Sequence, residues 1–353
     1  MSDISQRKTD HLDLTATGDV SFKETTTLFE CVRLVHDALP ELDFARLDAS
    51  VEILGKRLRA PILIAGMTGG NERAGTINRQ LAEIAEARGY AFGLGSQRAM
   101  VVRPESTPSY QVRDVAPSVL LLGNLGLVQA REMSDQQIID LVGLVGADAL
   151  CIHLNPAMEL VQDDGDRDFR GGLDRFAALV EALPVPVVAK ETGCGISAEV
   201  ATRLRRVGVR HLDVSGAGGT SWVAVETHRA SEGRRALGET FWEWGIPTAA
   251  SVALAAPLGF ETIFATGGLR GGLDVARALA LGASAGGIAR HVLRALTAGG
   301  PDGASGYLDR VENEIRTAML LTGAADVPAL RRVPRVLTGE LREWISQVGC
   351  GAS

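Results

Sequence analysis

The chain has 353 residues, of which 46% are apolar and 22% charged, and its formal net charge is -7. This composition is typical of a globular enzyme, and the acidic balance argues against nucleic acid as a partner. The four cysteines are scattered and form no CxxC pair, which favours reduced thiols over a disulfide framework or a zinc site. A polar amino-terminal segment and the lack of a long apolar run predict a soluble, cytoplasmic protein that does not enter a membrane.

Eight short aliphatic runs alternate with helical segments, a pattern typical of a parallel α/β fold. The predicted strands are residues 62–66, 91–94, 119–123, 149–154, 185–190, 211–214, 262–265 and 285–287. Glycine and small polar residues follow most of these runs, and a barrel with its active site at the carboxyl ends of the strands requires such residues there. The sequence therefore predicts a (β/α)8 TIM barrel. A doubly wound sheet is the alternative, but it concentrates its glycines at one or two turns.

Three segments lie outside the strand–helix alternation. Residues 1–58 are predicted to form an amino-terminal extension that contributes to the substrate site, and residues 59–300 the barrel. Residues 221–258, with Trp222, Trp242 and Trp244, are predicted as a long loop insertion after the sixth strand, of the kind that covers an active site. Residues 301–353 are predicted as a helical extension outside the barrel.

Two glycine-rich turns, residues 265–270 and 286–290, follow the seventh and eighth predicted strands. Glycine allows close backbone approach, and helix N-termini favour negative charge, so this pair of turns predicts a phosphate site. A third turn, residues 67–70, indicates a ligand as long as FMN across the barrel mouth. Lys190 ends the fifth strand, where an ammonium would neutralise negative charge on a reduced flavin. The alternative for Lys190 is a pair with Glu191 or simple exposure to solvent.

A set of motifs occurs in order along the chain. They are Arg7-Lys-Thr-Asp-His11, Arg33-Leu-Val-His-Asp-Ala-Leu-Pro-Glu-Leu-Asp43, Ala65-Gly-Met-Thr-Gly-Gly70, Gly93-Leu-Gly-Ser-Gln-Arg98, His153-Leu-Asn155, Asp213-Val-Ser-Gly-Ala-Gly-Gly-Thr-Ser-Trp222, Trp244-Gly-Ile-Pro-Thr248 and Thr266-Gly-Gly-Leu-Arg270. From residue 7 to residue 293 the chain resembles the type 2 isopentenyl diphosphate isomerases, which are FMN-dependent barrel enzymes. The set is far more specific than any one glycine motif.

The resemblance implies interconversion of isopentenyl diphosphate and dimethylallyl diphosphate, with FMN active in its reduced form as the acid–base. It also implies NADPH as the reductant, Mg²⁺ as a second cofactor, and a homo-oligomer, either a tetramer or an octamer. The reaction passes through a carbocation-like transition state, which an electron-rich group in a water-free site stabilises.

The resemblance also implies roles for individual residues. The expected substrate contacts are Arg7, Lys8, His11, Arg98, His153 and Asn155. The expected cofactor contacts are Ala65, Met67, Thr68, Ser96, Asn124, Lys190, Ser215, Thr220, Gly267, Gly268, Arg270, Ala289 and Arg290. Glu159 is the expected magnesium ligand, and His153 and Lys190 are expected to act in catalysis. Taken singly, the serines, threonine and asparagine are more often turn or cap residues.

One departure concerns Met158, which stands where the family has a glutamine near the reacting carbons. A thioether is only a weak acceptor, whereas an amide both donates and accepts. In one interpretation Met158 packs against the prenyl chain and isomerase activity is retained at lower efficiency. In the other, the chain binds FMN and a prenyl diphosphate but has lost or altered the reaction. The first interpretation is favoured.

Two other enzyme classes share the barrel and the phosphate site. An FMN-dependent α-hydroxy acid oxidase requires a histidine base and an arginine near the ends of the sixth and seventh strands, and the turn after the sixth, residues 215–220, contains neither. A nucleotide-oxidising barrel requires a nucleophilic cysteine, for which Cys194 is the candidate, although a small residue between glycines is favoured. A flavoprotein retained only for binding is the non-enzymatic alternative.

Overall fold

The computed structural model describes residues 13–15 and 18–349. Eight parallel strands form a closed barrel. They are β1 (Ile62–Ile64), β2 (Ala91–Gly93), β3 (Leu120–Gly126), β4 (Ala149–Leu154), β5 (Val187–Glu191), β6 (His211–Asp213), β7 (Thr262–Ala265) and β8 (Ala285–Ile288). The ring closes because β8 pairs with β1, with Gly286 opposite Ile62. The prediction of eight strands and a TIM barrel is confirmed, and the doubly wound alternative is wrong.

Helices cover the outside of the barrel. The longer ones are Glu72–Arg88, Asp135–Val145, Gly172–Ala182, Ala198–Arg206, Glu232–Thr240, Thr248–Ala255, Gly272–Leu281, Arg290–Leu321 and Gly339–Val348. The shorter ones are Arg98–Val102, Leu127–Glu132, Pro156–Val161, Trp222–Thr227 and Val327–Leu330. Local sequence fixes several ends. Asn71 caps the first helix by accepting from the Ala74 amide, and Gly89 ends it in the left-handed conformation. No described helix is both long and apolar enough to cross a membrane.

The barrel interior is apolar below its mouth. Buried side chains from seven of the eight strands form one cluster there, and Phe264 and Leu63 are among the largest. Ile53 and Leu58 belong to the same cluster. They come from an antiparallel hairpin, Val51–Ile53 with Lys56–Leu58, which therefore closes the amino-terminal end of the barrel. This packed floor leaves the carboxyl ends of the strands as the open end.

The segments outside the barrel have more structure than the sequence predicts. The expected loop insertion contains the helices Trp222–Thr227 and Glu232–Thr240, followed by the barrel helix Thr248–Ala255, so the expectation of a long loop is corrected here. Ser221 begins the first of these helices by accepting from the Ala224 amide. Near the other end of the chain, Arg335–Leu337 pairs with Val32–Leu34 in a two-stranded antiparallel sheet. The division of the chain at residues 58 and 300 stays a prediction.

Candidate active site

A cavity of about 570 Å³ opens at the carboxyl ends of the barrel strands. The segment after every barrel strand contributes to its wall. The predicted site residues that line it are Ala65, Met67, Ser96, Arg98, Asn124, His153, Asn155, Met158, Glu159, Lys190, Ser215, Thr220, Gly267, Gly268, Arg270, Ala289 and Arg290. Thr68 does not line the cavity, although its neighbour Met67 does, and it is 1% exposed. Arg7, Lys8 and His11 lie outside the described residues, so their placement is untested.

One end of the cavity is built from the glycine turns. Gly267 and Gly268 have φ angles of 99° and 79°, which favour glycine, and a Cβ at Gly268 would lie 2.8 Å from the Gly219 nitrogen. Ser215 has a φ of 35° in the same wall, an uncommon conformation for a residue with a side chain. The turns after β6 and β7 therefore touch through their backbones, and larger residues are excluded from that contact.

The same end of the cavity is strongly cationic. Arg270, Arg290 and Arg294 line it and supply the charge, and His291 lies beside them. Burial lowers the pKa of His291, and the arginines nearby lower it further. Sequence reasoning missed His291 and Arg294. The available signal was their position, since both follow Arg290 in the first turns of the same helix. An anionic group is the ligand that this end of the cavity suits.

The guanidinium of Arg290 binds the amino-terminal segment. It donates to the backbone oxygens of Thr15 and Gly18 and to the hydroxyl of Ser21, at 2.6 to 2.8 Å. Ser21 also forms an antiparallel bridge with Thr220. Arg290 therefore attaches this segment to the rim of the barrel, a contact that the sequence did not indicate.

The insertion after β6 completes that attachment. The Glu243 carboxylate accepts from the backbone amides of Lys23, Glu24 and Thr25, and these hydrogen bonds lower its pKa against the opposing effect of burial. Trp242 is buried and donates to the Ser21 oxygen. Of the three tryptophans, Trp222 lines the cavity, whereas Trp244 is 61% exposed and lies away from it.

Lys190 belongs to a buried ionic network. Its Nζ lies 2.9 Å from Oδ2 of Asp213 and donates to the backbone oxygen of Glu191 at 3.0 Å. The expected alternative, a pair with the Glu191 carboxylate, is wrong. That carboxylate instead accepts from the amides of residues 192–194. Burial raises the pKa of Glu191 to about 7, although the three amide donors act in the opposite direction.

The opposite side of the cavity holds the polar residues of the β4 end. Nδ1 of His153 lies 2.8 Å from Oδ1 of Asn124. Nδ2 of Asn155 donates to Oε1 of Glu159 at 2.7 Å, and the Asp166 amide donates to Oε2 at 3.0 Å. Met158 is half-buried on the same wall, and its Sδ lies 3.9 Å from Nδ2 of Asn155. Thus the departure from the family's glutamine faces the cavity.

Arg98 is a half-buried cation that lines the cavity from the segment after β2. Among the described residues it has no hydrogen-bond or ion-pair partner, in contrast to Arg290 and Lys190. A guanidinium held at a cavity wall without a protein anion is suited to an anionic ligand.

A metal site built from protein side chains alone and a nucleophilic cysteine both find little support. The described residues contain no cluster of three or more His, Cys, Asp or Glu side chains that would bind a metal by themselves. Burial raises the pKa of the Cys194 thiol, so the structure does not favour a nucleophilic thiolate there.

Comparison with known proteins identifies the family. Residues 153–336 match a family described as FMN-dependent dehydrogenase. The chain is 48% identical over 328 residues to the isopentenyl-diphosphate delta-isomerase of Thermococcus onnurineus (strain NA1), covering 90% of this chain and 88% of that protein. It is 44% identical over 347 residues to the isopentenyl-diphosphate delta-isomerase of Methanothermobacter thermautotrophicus, and this match covers 98% of this chain and 97% of that protein. The chain belongs to the isopentenyl-diphosphate delta-isomerase family.

Solved structures agree on the fold of this isomerase family member. Mandelate oxidase with (S)-2-phenylpropionate superimposes with a TM-score of 0.66, 21% identity and coverage of 95% and 98% of the two chains. Mandelate oxidase with benzoyl-formic acid superimposes with a TM-score of 0.64 at 20% identity, and the match covers 95% of this chain and 98% of that one. At such identity the likeness shows the fold alone. The turn after β6 of this chain, residues 214–220, contains neither the histidine nor the arginine that α-hydroxy acid oxidation requires.

Proposed function

We propose that the protein interconverts isopentenyl diphosphate and dimethylallyl diphosphate with reduced FMN. The observation that carries the proposal is one cavity lined both by the cationic glycine turns after β7 and β8 and, from other strands, by Arg98 and the polar residues of the β4 end. The first set would bind the phosphate of a cofactor, and the second the diphosphate of a substrate. Family membership supplies the reaction.

The residues present fit FMN. The hydroxyl oxygen of Thr68 is buried without a hydrogen-bond partner among the described residues, and Thr68 follows Met67, which lines the cavity. A polar ligand group that reached this hydroxyl would satisfy it. The turns at Gly267 and Gly268 expose backbone beside several cations, which suits a phosphate dianion. When bound and reduced by NADPH, FMN would supply an electron-rich ring that donates and accepts protons.

On the substrate side, Arg98 would bind the diphosphate, joined by Arg7, Lys8 and His11 of the amino-terminal motif. His153 and Asn155 would orient the same group from the end of β4. Charge-assisted hydrogen bonds to these side chains would fix the diphosphate, so that the carbon chain points into the cavity.

Glu159 fits the role of a magnesium ligand. Its carboxylate faces the cavity, is 6% exposed, and is oriented by Asn155 and the Asp166 amide. Mg²⁺ prefers oxygen ligands and keeps several waters, so one carboxylate and the diphosphate oxygens suffice to hold it.

The remaining wall would surround the carbon chain. Met158 and Trp222 present apolar surface to the cavity, and the amino-terminal segment covers part of its mouth. Excluding water from this region would strengthen the electrostatic stabilisation of a cationic transition state. NADPH as the reductant, assembly into a tetramer or an octamer, and a cytoplasmic location complete the proposal, and the family resemblance supports each.

The decisive experiment is an anaerobic assay in D₂O. The protein is incubated with FMN, NADPH, Mg²⁺ and isopentenyl diphosphate, and products are followed by NMR. We expect dimethylallyl diphosphate with deuterium in the new methyl group, and no product without FMN or without NADPH. If the flavin is reduced and the substrate binds but no product forms, the reaction has been lost or altered, which is the alternative interpretation of Met158.

A further inference from the structure

Asp213 is a buried carboxylate to which the proposed function assigns no role. It ends β6, is 2% exposed, and lies opposite Lys190 in the pairing of β5 with β6. Its Oδ2 lies 2.9 Å from Nζ of Lys190, and its Oδ1 accepts from the Thr266 hydroxyl at 2.5 Å. The carboxyl ends of three adjacent strands therefore place an ammonium, a carboxylate and a hydroxyl together beside the cavity.

The surroundings of this pair are dry. The buried thiol of Cys151 lies next to it, and the Asp213 charge adds to the burial that raises the thiol's pKa. The Lys190 side chain is only 12% exposed. Its other hydrogen-bond partners are neutral, namely the backbone oxygen of Glu191 and the Thr266 hydroxyl at 3.5 Å. A buried ammonium without a counter-ion is strongly disfavoured, so the Asp213 carboxylate offsets the cost of holding the Lys190 ammonium in this position.

We propose that Asp213 is a positioning residue that holds the Lys190 ammonium at the cavity wall and thereby favours binding of reduced, anionic FMN. The inference rests on the proposed FMN site. By its own charge Asp213 would disfavour an anionic ligand, whereas through Lys190 it favours one. The two effects have opposite signs, which makes them separable.

The experiment compares the dissociation constants of oxidised FMN and of anaerobically photoreduced FMN. The proteins are wild type, Asp213→Asn, Lys190→Met and the double variant. We expect Lys190→Met and Asp213→Asn each to weaken binding of reduced relative to oxidised FMN by about tenfold, a coupling typical of neighbouring charges. In the Lys190→Met background, Asp213→Asn should leave the ratio of the affinity for reduced FMN to that for oxidised FMN unchanged, or increase it. An equal increase of this ratio in both backgrounds would overturn the proposal.

Two controls separate positioning from folding. Asp148 also lies 2.9 Å from a lysine, Lys56, but outside the residues that line the cavity. Asp148→Asn should lower thermal stability and leave the ratio unchanged. Asp213→Glu keeps the charge and should restore most of the wild-type ratio.

Thr266→Val provides a second route if Asp213→Asn does not fold. It removes the hydrogen bond to Oδ1 and the longer contact of Lys190 with the same hydroxyl, so it should shift the ratio in the same direction by about twofold to threefold, the size of one net hydrogen bond. If Asp213→Asn does not fold and Thr266→Val leaves the ratio of FMN affinities unchanged, the proposal is contradicted. Wild type that fails to bind FMN would contradict the proposed function, which is a different result.

Discussion

Oδ1 of Asn124 lies 2.8 Å from Nδ1 of His153, across the neighbouring strands β3 and β4. The amide of Asn124 is oriented because its Nδ2 donates to the Leu94 oxygen. Its Oδ1 must therefore accept, so Nδ1 of the imidazole carries a proton and donates it to this contact. Asn124 thus fixes the orientation of a histidine that lines the cavity.

This contact predicts an interaction between the two side chains in catalysis. Asn124→Ala should lower kcat/KM for isopentenyl diphosphate about tenfold at saturating FMN, the value of one buried hydrogen bond near 1.4 kcal/mol. In a His153→Ala background the same change should have less than about a twofold effect, because the oriented group is gone. Equal losses in both backgrounds would show that Asn124 acts independently of His153.

Met158 gives a prediction about turnover. Met158→Gln places an amide beside Asn155 and should raise kcat, by up to about a hundredfold if the amide positions a proton in the transition state. Met158→Leu is the matched control and should stay within about twofold of wild type, since it keeps the apolar volume. The rates are measured by NMR under anaerobic conditions. A loss in both variants would mean that the thioether itself is needed.

Removing the half-buried cation at Arg98 should impair substrate binding selectively. Arg98→Met is expected to raise KM by about 30-fold or more, equivalent to about 2 kcal/mol for a lost charged contact. The dissociation constant of FMN should change less than twofold. Arg170→Met, at a guanidinium that is 90% exposed, should change neither constant. If Arg98→Met weakened FMN and substrate equally, Arg98 would not be specific to the diphosphate.

Glu191 predicts a pH dependence of stability. Burial raises its pKa from 4.5 to about 7 in the folded protein, so the folded state binds this proton more tightly than the unfolded state does. Its contribution to stability is fully present below about pH 4.5 and is lost as the pH rises through about 7, by about 3 kcal/mol in total. Urea unfolding across this range should show the loss in wild type. The curve of Glu191→Gln should lack this loss, so the difference between the two curves should reproduce it. A variant curve that runs parallel to wild type would contradict the assignment.

Glu243 tests the attachment of the amino-terminal segment. Glu243→Ala removes the acceptor of three backbone amides at residues 23–25. Since this segment lines the cavity, FMN should dissociate faster, by about tenfold, and the free energy of unfolding should fall by about 1 kcal/mol. Stopped-flow displacement of FMN measures the first effect. Glu239→Ala, on the preceding helix, is the control and should leave the rate unchanged.

The sequence predicts the barrel well for a physical reason. Each parallel strand is buried on both faces and is therefore a short, nearly continuous apolar run, as 149–154 and 262–265 illustrate. The glycine turns were visible because only glycine permits the contact between residues 219 and 268. Both signals are local, so one sequence contains them.

The contacts that the sequence did not predict depend on distant parts of the chain meeting. The pair of Lys190 with Asp213 follows from strand register, and apolar periodicity does not determine register. Arg290 reaches backbone some 270 residues earlier in the chain. The helices of the insertion were missed because Trp222–Thr227 is too short for a periodic pattern to emerge. Site residues could be named from motifs, but their partners could not.

The two extensions lie in different positions relative to the cavity. Residues 21–26 form part of its wall, whereas the helix Gly339–Val348 packs against Thr248–Ala255 and contributes no lining residue. A label, a fusion partner or a surface tether attached beside that last helix would leave the entrance open to diffusing substrate. The same attachment next to residues 21–26 would obstruct it. An immobilised catalyst or a fluorescent sensor built on this protein should therefore be joined through its carboxy-terminal helix.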